Sequence, residues 1–254
     1  MTIFDAHFHI IDDAYPIYEN NGYIPPIFTV DDYLKATKDF HIKGGAIVSG
    51  SFQKFDQSYL EHALKKLGPE FVGVTQLPFD TSDEEILRLD KIGVRAIRFN
   101  VKRGGSEGIS TLETLANRVF ELAGWHTELY IDAKEIGELE QVIAKLPKVS
   151  IDHLGLSQEG VPTLLRFVEK GIKVKATGFG RVHLDVIDTM KKIIDINSEA
   201  LMFGTDLPST RAKRPFHAND IEIVKQCFEQ DIVEKILYKN GCAWYGIETE
   251  NVVR

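Results

Sequence analysis

Eight short β-rich runs alternate with amphipathic segments along the whole chain, and this alternation limits the possible folds more than any other feature. The runs are TIFDAHF, GGAIVSG, FVGVTQL, VRAIRFN, TELYID, VSIDHLG, KVKATGF and LMFGTD. Between them lie segments with apolar residues at helical spacing, including DQSYLEHALKKLG, DEEILRLDKIG, TLETLANRVFELAG and AKEIGELEQVIAKLP. Successive strand–helix units of this number predict a (β/α)8 barrel, whose active site lies where the strands end.

The rest of the chain agrees with a single domain over residues 1–254. A chain of this length with 43% hydrophobic residues can bury the core of one barrel, and no second compositional block interrupts it. Long loops at 10–34 and 207–217 follow the first and last runs, so we expect both at the active-site face. The segment DIVEKILYKNGCAWYG predicts a closing helix that ends at Gly246.

Charge and cysteine content argue against several classes of protein. The net charge is −8, from 38 acidic and 30 basic residues, and no long basic run could follow a phosphate backbone, so we expect no nucleic-acid partner. Cys227 and Cys242 form no CxxC pattern, which argues against a disulfide framework or a thiolate zinc site and favours the reducing cytoplasm. The N-terminus does not resemble a signal peptide, and no run reaches the roughly 18 apolar residues of a membrane span, so we expect no membrane partner.

Two histidines stand two residues apart at the end of the first run, in IFDAHFHII. Side chains alternate across a strand, so His7 and His9 share one face while Phe8 takes the other. Both imidazoles can therefore enter one cavity, and an HxH step at a strand end is a common way of building a metal or hydrogen-bonding site. A lone histidine is more often structural, and we interpret four others in that way: His41, His62, His126 and His183.

Two later runs also end in polar residues. IDHLG places His153 at the end of the sixth run, and FGTDLP places Asp206 at the end of the eighth. The first and last strands are neighbours in a closed barrel, so we expect three imidazoles and one carboxylate to converge in one pocket. We expect Asp5 and Asp152 to face away from their neighbouring histidines and to make supporting hydrogen bonds. Strand alternation does not fix the direction of Lys175.

DAHFH near the start, IDHLG two-thirds along and FGTDLP late in the chain are more specific in their order than any one of them alone. They resemble the amidohydrolase superfamily, in particular the amidohydrolase-related branch that includes 2-pyrone-4,6-dicarboxylate lactonase and sugar lactonases. GVRAIRFN, GWHTEL, TGFGR and KILYKNGCAWYG extend the resemblance over essentially the whole chain. It implies a distorted (β/α)8 barrel, also called a TIM barrel, that hydrolyses amides or esters. Some members of this branch are decarboxylases or hydratases.

One departure from the superfamily pattern concerns metal. Many superfamily metal sites use a histidine at the end of the fifth strand, where this sequence has Tyr130. They also use a bridging lysine or glutamate at the end of the fourth strand, where Arg98 and Asn100 stand. The pyrone dicarboxylate lactonases need no divalent metal, so the resemblance implies a site without a required cofactor. The alternative is a single Zn²⁺ with three protein ligands, His7, His9 and Asp206.

Three arginines lie at or just after strand ends: Arg98, Arg103 and Arg181. A guanidinium binds a carboxylate through two hydrogen bonds, so these residues predict a small anionic substrate. The alternative is that they pair with surface acids of this acidic protein. Ser51 and Tyr130 match polar positions that contact substrate in the lactonases, and Tyr23 in the first long loop is a further candidate.

The expected function is hydrolysis of a small cyclic ester that carries carboxylates, such as a pyrone dicarboxylate or a sugar-acid lactone. Asp206 would take a proton from the attacking water, while the imidazoles of His7, His9 and His153 would polarise the carbonyl. Three alternatives are a metal-dependent decarboxylase or hydratase of the same branch, a metal-dependent nuclease with a DxHxH start, and a non-catalytic barrel that binds an anion. The missing histidine after the fifth strand counts against the decarboxylase or hydratase. The end of the third run, VTQLP, lacks the glutamate that such nucleases use, and the retained Asp206 in GTDLP counts against a barrel that only binds an anion. The sequence defines no oligomeric state.

Overall fold

The predicted strands form one parallel sheet in a computed structural model of the chain, which describes residues 1–248. They are β1 (Ile3–Phe8), β2 (Ile42–Val48), β3 (Phe71–Thr75), β4 (Val94–Phe99), β5 (His126–Leu129), β6 (Val149–Ile151), β7 (Lys173–Ala176) and β8 (Leu201–Phe203). Each strand pairs with the next along the sequence, which confirms the predicted single-domain TIM barrel. Residues 249–254 of the predicted domain lie outside the described residues. The predicted runs extend past the observed strands because their last residues already turn into the loops.

Helices surround this sheet. They are α1 (Val30–Thr37), α2 (Ser58–Leu67), α3 (Asp83–Lys91), α4 (Leu112–Ala123), α5 (Glu140–Ile143), α6 (Val161–Glu169), α7 (Val186–Ile196), α8 (Ala218–Cys227), α9 (Gln230–Glu234) and α10 (Asn240–Tyr245). A π-helical turn (Lys235–Lys239) joins α9 to α10, and Gly246 ends α10 in the left-handed conformation, as predicted. No helix within residues 1–248 has the length and apolar composition needed to cross a membrane.

The crossover after β5 differs from its prediction. Instead of one helix over 133–147, the chain forms two short 3₁₀ turns (Ala133–Glu135 and Gly137–Leu139) followed by the four-residue α5. Gly137 has a positive φ of 47°. An α-helix of L-residues does not continue through such a residue, so the apolar spacing of this segment is used by separate turns.

An irregularity in β1 turns its two histidines into the barrel. The pairing of β1 with β2 shifts register between Asp5 and Phe8. Phe8 stacks on Tyr33 of α1 with ring centroids 3.9 Å apart, and the Tyr33 hydroxyl also donates to Asp5, so both β1 residues face the helices. A bulge re-aims the side chains that follow it. His7 and His9 therefore enter the interior although strict alternation would place them on the same side as Asp5.

The last helix closes the amino-terminal end of the barrel. Tyr245 of α10 packs against Phe4 with ring centroids 5.5 Å apart, and its hydroxyl donates to Glu128 inside the barrel. Small side chains such as Ala6 and Ala46 fill much of the space around them. The interior therefore has a tightly packed lower half and a polar upper half, where the site lies.

Two backbone hydrogen bonds join the ends of the first and last strands. The Asp206 N–H donates to the His7 carbonyl, and the His9 N–H donates to the Leu207 carbonyl, each over 2.7 Å. Gly204 allows this approach, because a Cβ there would lie 2.7 Å from the His7 backbone nitrogen and 2.9 Å from the His7 Cβ. The closure that brings Asp206 beside the histidines thus depends on a missing side chain.

Gly204→Ala should open this junction and destabilise the protein by about 2 kcal/mol, because overpacking a filled interior commonly costs 1–3 kcal/mol. Urea unfolding measures the free energy of unfolding of the variant. Gly108→Ala is the matched control, because a Cβ there would meet nothing nearer than the Ser110 hydroxyl at 3.9 Å. Equal stabilities for the two variants would show that the β1–β8 junction tolerates a methyl group.

Candidate active site

A polar pocket lies at the carboxyl ends of the strands and contains most of the predicted site. Seven predicted residues line it: His9, Ser51, Arg98, Arg103, Tyr130, His153 and Arg181. His7 and Asp206 lie directly beneath, fully buried, in contact with these residues. Tyr23 lies further out, half-buried under the guanidinium of Arg211, whose carbon is 4.3 Å from the ring centroid.

The histidines and Asp206 form a compact cluster. The ring centroid of His7 is 5.1 Å from that of His9 and 4.8 Å from that of His153. Asp206 Oδ1 lies 3.9 Å from His7 Nε2 and 3.7 Å from His9 Nε2. Within residues 1–248, Asp206 Oδ1, His7 Nε2 and His153 Nδ1 are buried without a hydrogen-bond partner. The geometry suits a small oxygen-bearing group that bonds to several of these atoms at once.

The hydrogen bond made by His9 Nδ1 determines whether Nε2, on the ring edge that faces the pocket, donates or accepts. Nδ1 of His9 lies 2.6 Å from the Val48 carbonyl oxygen. A carbonyl only accepts, so Nδ1 carries the hydrogen, and in the neutral imidazole Nε2 is left with a lone pair. In the neutral form of His9, its Nε2 and Asp206 Oδ1 are therefore two acceptors that face each other.

Asp206 is held as a carboxylate. Its Oδ2 accepts from Arg181 Nε at 2.8 Å and from Nη2 of the same guanidinium. Burial acts to raise the pKa of Asp206, but the attraction of the Arg181 guanidinium outweighs it and holds the pKa well below the usual range. Asp206 also has a φ of 60°, a left-handed conformation that a short polar residue tolerates better than a branched one. The carboxylate is thus ionised, with one oxygen engaged and the other available.

Both deeper histidines are neutral. Burial lowers the pKa of His153 to about 3, and the nearby guanidinium of Arg181 lowers it further against the pull of Asp206. Burial and the charge of Lys175 likewise lower the pKa of His7 well below its ordinary value. Neutral imidazoles can each donate one hydrogen bond and accept one, so their tautomers decide what they offer a substrate.

Arg98 has a different partner from the one predicted. Its Nε and Nη2 both donate to Asp152 Oδ2, at 3.1 and 2.8 Å, and Nη1 donates to the Ser49 carbonyl at 2.8 Å. The pair is buried, so Arg98 binds neither a surface acid nor, through these hydrogens, a substrate. The prediction that Asp152 faces away from its neighbouring histidine is wrong, because ligand atoms of Asp152, His153 and His7 all lie within 4.8 Å of one another. The β6 chain leaves the sheet after Ile151, so alternation does not extend to Asp152.

Arg103 is the arginine most available to a ligand. Its Nε is buried and has no hydrogen-bond partner within the described part of the chain. The loop that carries it is fixed by the Arg103 N–H, which donates to Asn100 Oδ1, and by its carbonyl, which accepts from Asn20 of the first long loop. Sequence reasoning missed Arg211, which lines the same pocket, because nothing in the long loop after β8 distinguishes it from its basic neighbours.

A buried charged network below the pocket was also missed. Lys175 Nζ donates to Glu128 Oε2 at 2.5 Å, and the opposite oxygen of Glu128 bonds to His126 and Tyr245. Burial acts to raise the pKa of Glu128, but Lys175 and the His126 hydrogen bond hold it at about 2. His126 is therefore structural, as predicted, whereas Lys175 reaches the site, with its Nζ 3.5 Å from His7 Nδ1.

Comparison with known proteins identifies the family of this barrel. The model of the amidohydrolase family matches residues 4–247, nearly the entire chain. The chain belongs to the amidohydrolase family. The protein is accordingly a hydrolase, as the resemblance of its motifs implied.

Three similar proteins cover between 82% and 97% of this amidohydrolase. A 2-pyrone-4,6-dicarboxylate hydrolase of Comamonas testosteroni is 25% identical, and the match covers 82% of this chain and 77% of that protein. The crystal structure of a probable 2-pyrone-4,6-dicarboxylic acid hydrolase of Acinetobacter baumannii, with citric acid bound, has a TM-score of 0.82, 22% identity and coverage of 97% of this chain and 100% of that one. The apo structure of ATU3138 of Agrobacterium tumefaciens has a TM-score of 0.86, 17% identity and coverage of 97% and 96%. The two structures show that the fold is shared.

Two buried sets of side chains within residues 1–248 could surround a metal ion: the first is His7, His9 and Asp206, and the second is His7, Asp152 and His153. The predicted zinc ligands have ligand atoms within 4.8 Å of one another and are all buried: His7, His9 and Asp206. The lone pair of His9 Nε2 and the available oxygen of Asp206 are donors that zinc accepts. However, Arg181 is bonded to the Asp206 carboxylate and the Lys175 ammonium faces His7, and both repel a cation. These positive charges oppose the binding of a divalent ion to this set of residues.

Arg181→Met should raise the pKa of Asp206, because it removes the charge that offsets the cost of burying this carboxylate. The pH dependence of the carboxyl ¹³C shift in protein labelled at aspartate measures that pKa. Arg166→Met removes an arginine from an exposed pair with Glu140 and should leave Asp206 unchanged. An Asp206 pKa that is the same in wild type and Arg181→Met would show that the guanidinium does not control this carboxylate.

Proposed function

We propose that this amidohydrolase opens a small cyclic ester that carries carboxylate groups, with a pyrone dicarboxylate as the leading substrate class. Two relatives named as 2-pyrone-4,6-dicarboxylate hydrolases support this class, and one of them binds citric acid, a small molecule rich in carboxylates. The available guanidinium edge of Arg103, together with Arg181 and Arg211, gives the pocket the positive charge that such a substrate needs.

The observation that carries the proposal is the pair of acceptors that face each other across the cluster. Asp206 Oδ1 and His9 Nε2 lie 3.7 Å apart, and a water molecule has two hydrogens to give to them. Water held in this way turns its oxygen lone pair toward the pocket. When it attacks the lactone carbonyl, its proton passes to Asp206, which acts as the general base. The geometry thus favours an accepting role for His9 in place of the donating role predicted from sequence.

His7 and His153 supply the donors for the carbonyl oxygen. As the water adds, negative charge develops on that oxygen, and a neutral imidazole N–H aimed at it stabilises the transition state. Removing one such donor commonly raises the barrier by roughly 3 kcal/mol. Collapse of the intermediate breaks the bond from the acyl carbon to the ring oxygen, and the proton on Asp206 passes to that oxygen. The product is an open-chain acid, and the carboxylate is regenerated.

The substrate carboxylates bind around this centre. Arg181 lines the pocket and also binds the catalytic carboxylate of Asp206. A substrate carboxylate that attracts the guanidinium weakens the bond between Arg181 and Asp206. The pKa of Asp206 then rises, and Asp206 becomes a stronger base. Ser51 and Tyr130 contact the ring, and it is covered by Tyr23 from the first long loop and by Arg211 from the loop after β8. Arg98 acts differently, since it fixes Asp152 and the floor of the site.

The proposed reaction requires no metal. Tyr130 occupies the place after β5 where many metal sites of the superfamily have a histidine. Three positive side chains lie near the predicted zinc ligands: Lys175, Arg98 and Arg181. We also place the enzyme in the cytoplasm, since Cys227 and Cys242 are both unbridged.

Asp206→Asn should reduce kcat for hydrolysis of 2-pyrone-4,6-dicarboxylate by about 10²–10⁴-fold, the usual contribution of a general base. Loss of the pyrone absorbance measures the rate. The matched control is Asp188→Asn, which removes an exposed carboxylate paired with Lys192 and should retain wild-type activity. A pyrone ester without carboxylates should be a poor substrate of the wild type, because it gives the arginines no partner. Wild-type protein that leaves the dicarboxylate intact would overturn the proposed substrate, and an active Asp206→Asn would overturn the proposed base.

A further inference from the structure

We propose that Lys175 fixes the tautomer of His7, so that His7 presents an N–H at Nε2 and is a hydrogen-bond donor rather than a metal ligand. Lys175 is thus a positioning residue, which acts on the reaction through His7. The role of this N–H in catalysis rests on the proposed function, in which the lactone carbonyl accepts a hydrogen bond from His7. The tautomer itself is a property of the protein without substrate.

The contact between Lys175 and His7 leaves one arrangement of hydrogens. Lys175 Nζ lies 3.5 Å from His7 Nδ1 in a hydrogen-bonding geometry. An ammonium group has hydrogens and no lone pair, so Nδ1 must be the acceptor. In a neutral imidazole the single hydrogen then resides on Nε2. That nitrogen is the one that faces Asp206 Oδ1 across the cluster.

Asp152 offers the competing arrangement. Its Oδ1 also lies 3.5 Å from His7 Nδ1, and an N–H there would turn Nε2 into a lone-pair donor. Yet Asp152 Oδ1 receives no hydrogen bond from any residue in the described range 1–248, whereas its Oδ2 is bonded to Arg98. At equal distance, the contact of His7 Nδ1 with Lys175 has hydrogen-bonding geometry and the contact with Asp152 does not.

Lys175 cannot leave this position easily. Its side chain is fully buried, and Nζ is bonded to Glu128, which Tyr245 and His126 hold from below. Metal ligation by histidine requires a lone pair on the coordinating nitrogen and usually a second partner that accepts from the other N–H. Lys175 supplies a donor where that acceptor would have to be. The position of Lys175 therefore explains why the cluster of His7, His9 and Asp206 is unfavourable for zinc.

Long-range ¹H–¹⁵N NMR of histidine-labelled protein tests the inference, because the two ring nitrogens differ strongly in ¹⁵N shift when one of them is protonated. The His7 signals are assigned by their loss in His7→Gln. We expect wild type to show the hydrogen on Nε2. In Lys175→Met/Glu128→Gln, which removes both buried charges together, we expect it on Nδ1, donated to Asp152. Lys173→Met is the matched control, since Lys173 lies on the same strand, bonds to the Glu199 carbonyl and should leave His7 unchanged.

Zinc titration by calorimetry provides a second readout. The double variant should bind Zn²⁺ roughly 10–100-fold more tightly than wild type, the range by which partners of metal-binding histidines change affinity. A wild-type His7 protonated at Nδ1 overturns the inference whether or not the lactone is hydrolysed, and so does an unchanged tautomer or zinc affinity in a folded double variant. Should that variant fail to fold, the wild-type tautomer alone decides. A wild type that is protonated at Nε2 but inactive on lactones supports the inference and refutes the proposed function.

Discussion

The site depends on the closure of the barrel between its first and last strands. Two backbone hydrogen bonds tie Asp206 to His7 and His9 to Leu207, and they join parts of the chain that are about two hundred residues apart in sequence. A parallel barrel satisfies its backbone groups by closing on itself, and here the closing bonds are made by the residues that carry the chemistry. The same hydrogen bonds that close the barrel therefore also set the distance between the carboxylate and the imidazoles.

Below this junction, the polar cluster persists inside the protein because its charges are paired. Arg98 with Asp152, Lys175 with Glu128, and Arg181 with Asp206 form three buried ion pairs. A single charge buried among apolar side chains would be lost through a shift of its pKa, whereas a paired charge remains ionised. The pairs leave two neutral histidines and one carboxylate oxygen facing the pocket. This selection of donors and acceptors, more than the presence of histidines, determines what the site can do.

Much of the architecture could be predicted from the sequence, because strand and helix periodicities are local properties. Alternation alone does not fix the direction of Lys175, but alternation combined with the apolar outer face of a barrel strand does. Val174 and Ala176 alternate with it, and the outer face of a barrel strand must be apolar against the helices, so the lysine has to point inward. The bulge in β1 and the break at Gly137 could not be foreseen from apolar spacing alone. The pairing of Arg98 with Asp152 could not be predicted either, since it depends on distances between side chains that only the folded barrel defines.

In the proposed reaction the attacking water is oriented by protein groups alone, and the metal requirement of the enzyme tests this mechanism. The protein is purified without added metal, its zinc and manganese are measured by mass spectrometry, and hydrolysis of 2-pyrone-4,6-dicarboxylate is assayed with a strong chelator present. We predict substoichiometric metal and full activity in the chelator. Near-stoichiometric metal, with activity that chelation abolishes and zinc restores, would contradict the account and make His7 and His9 ligands.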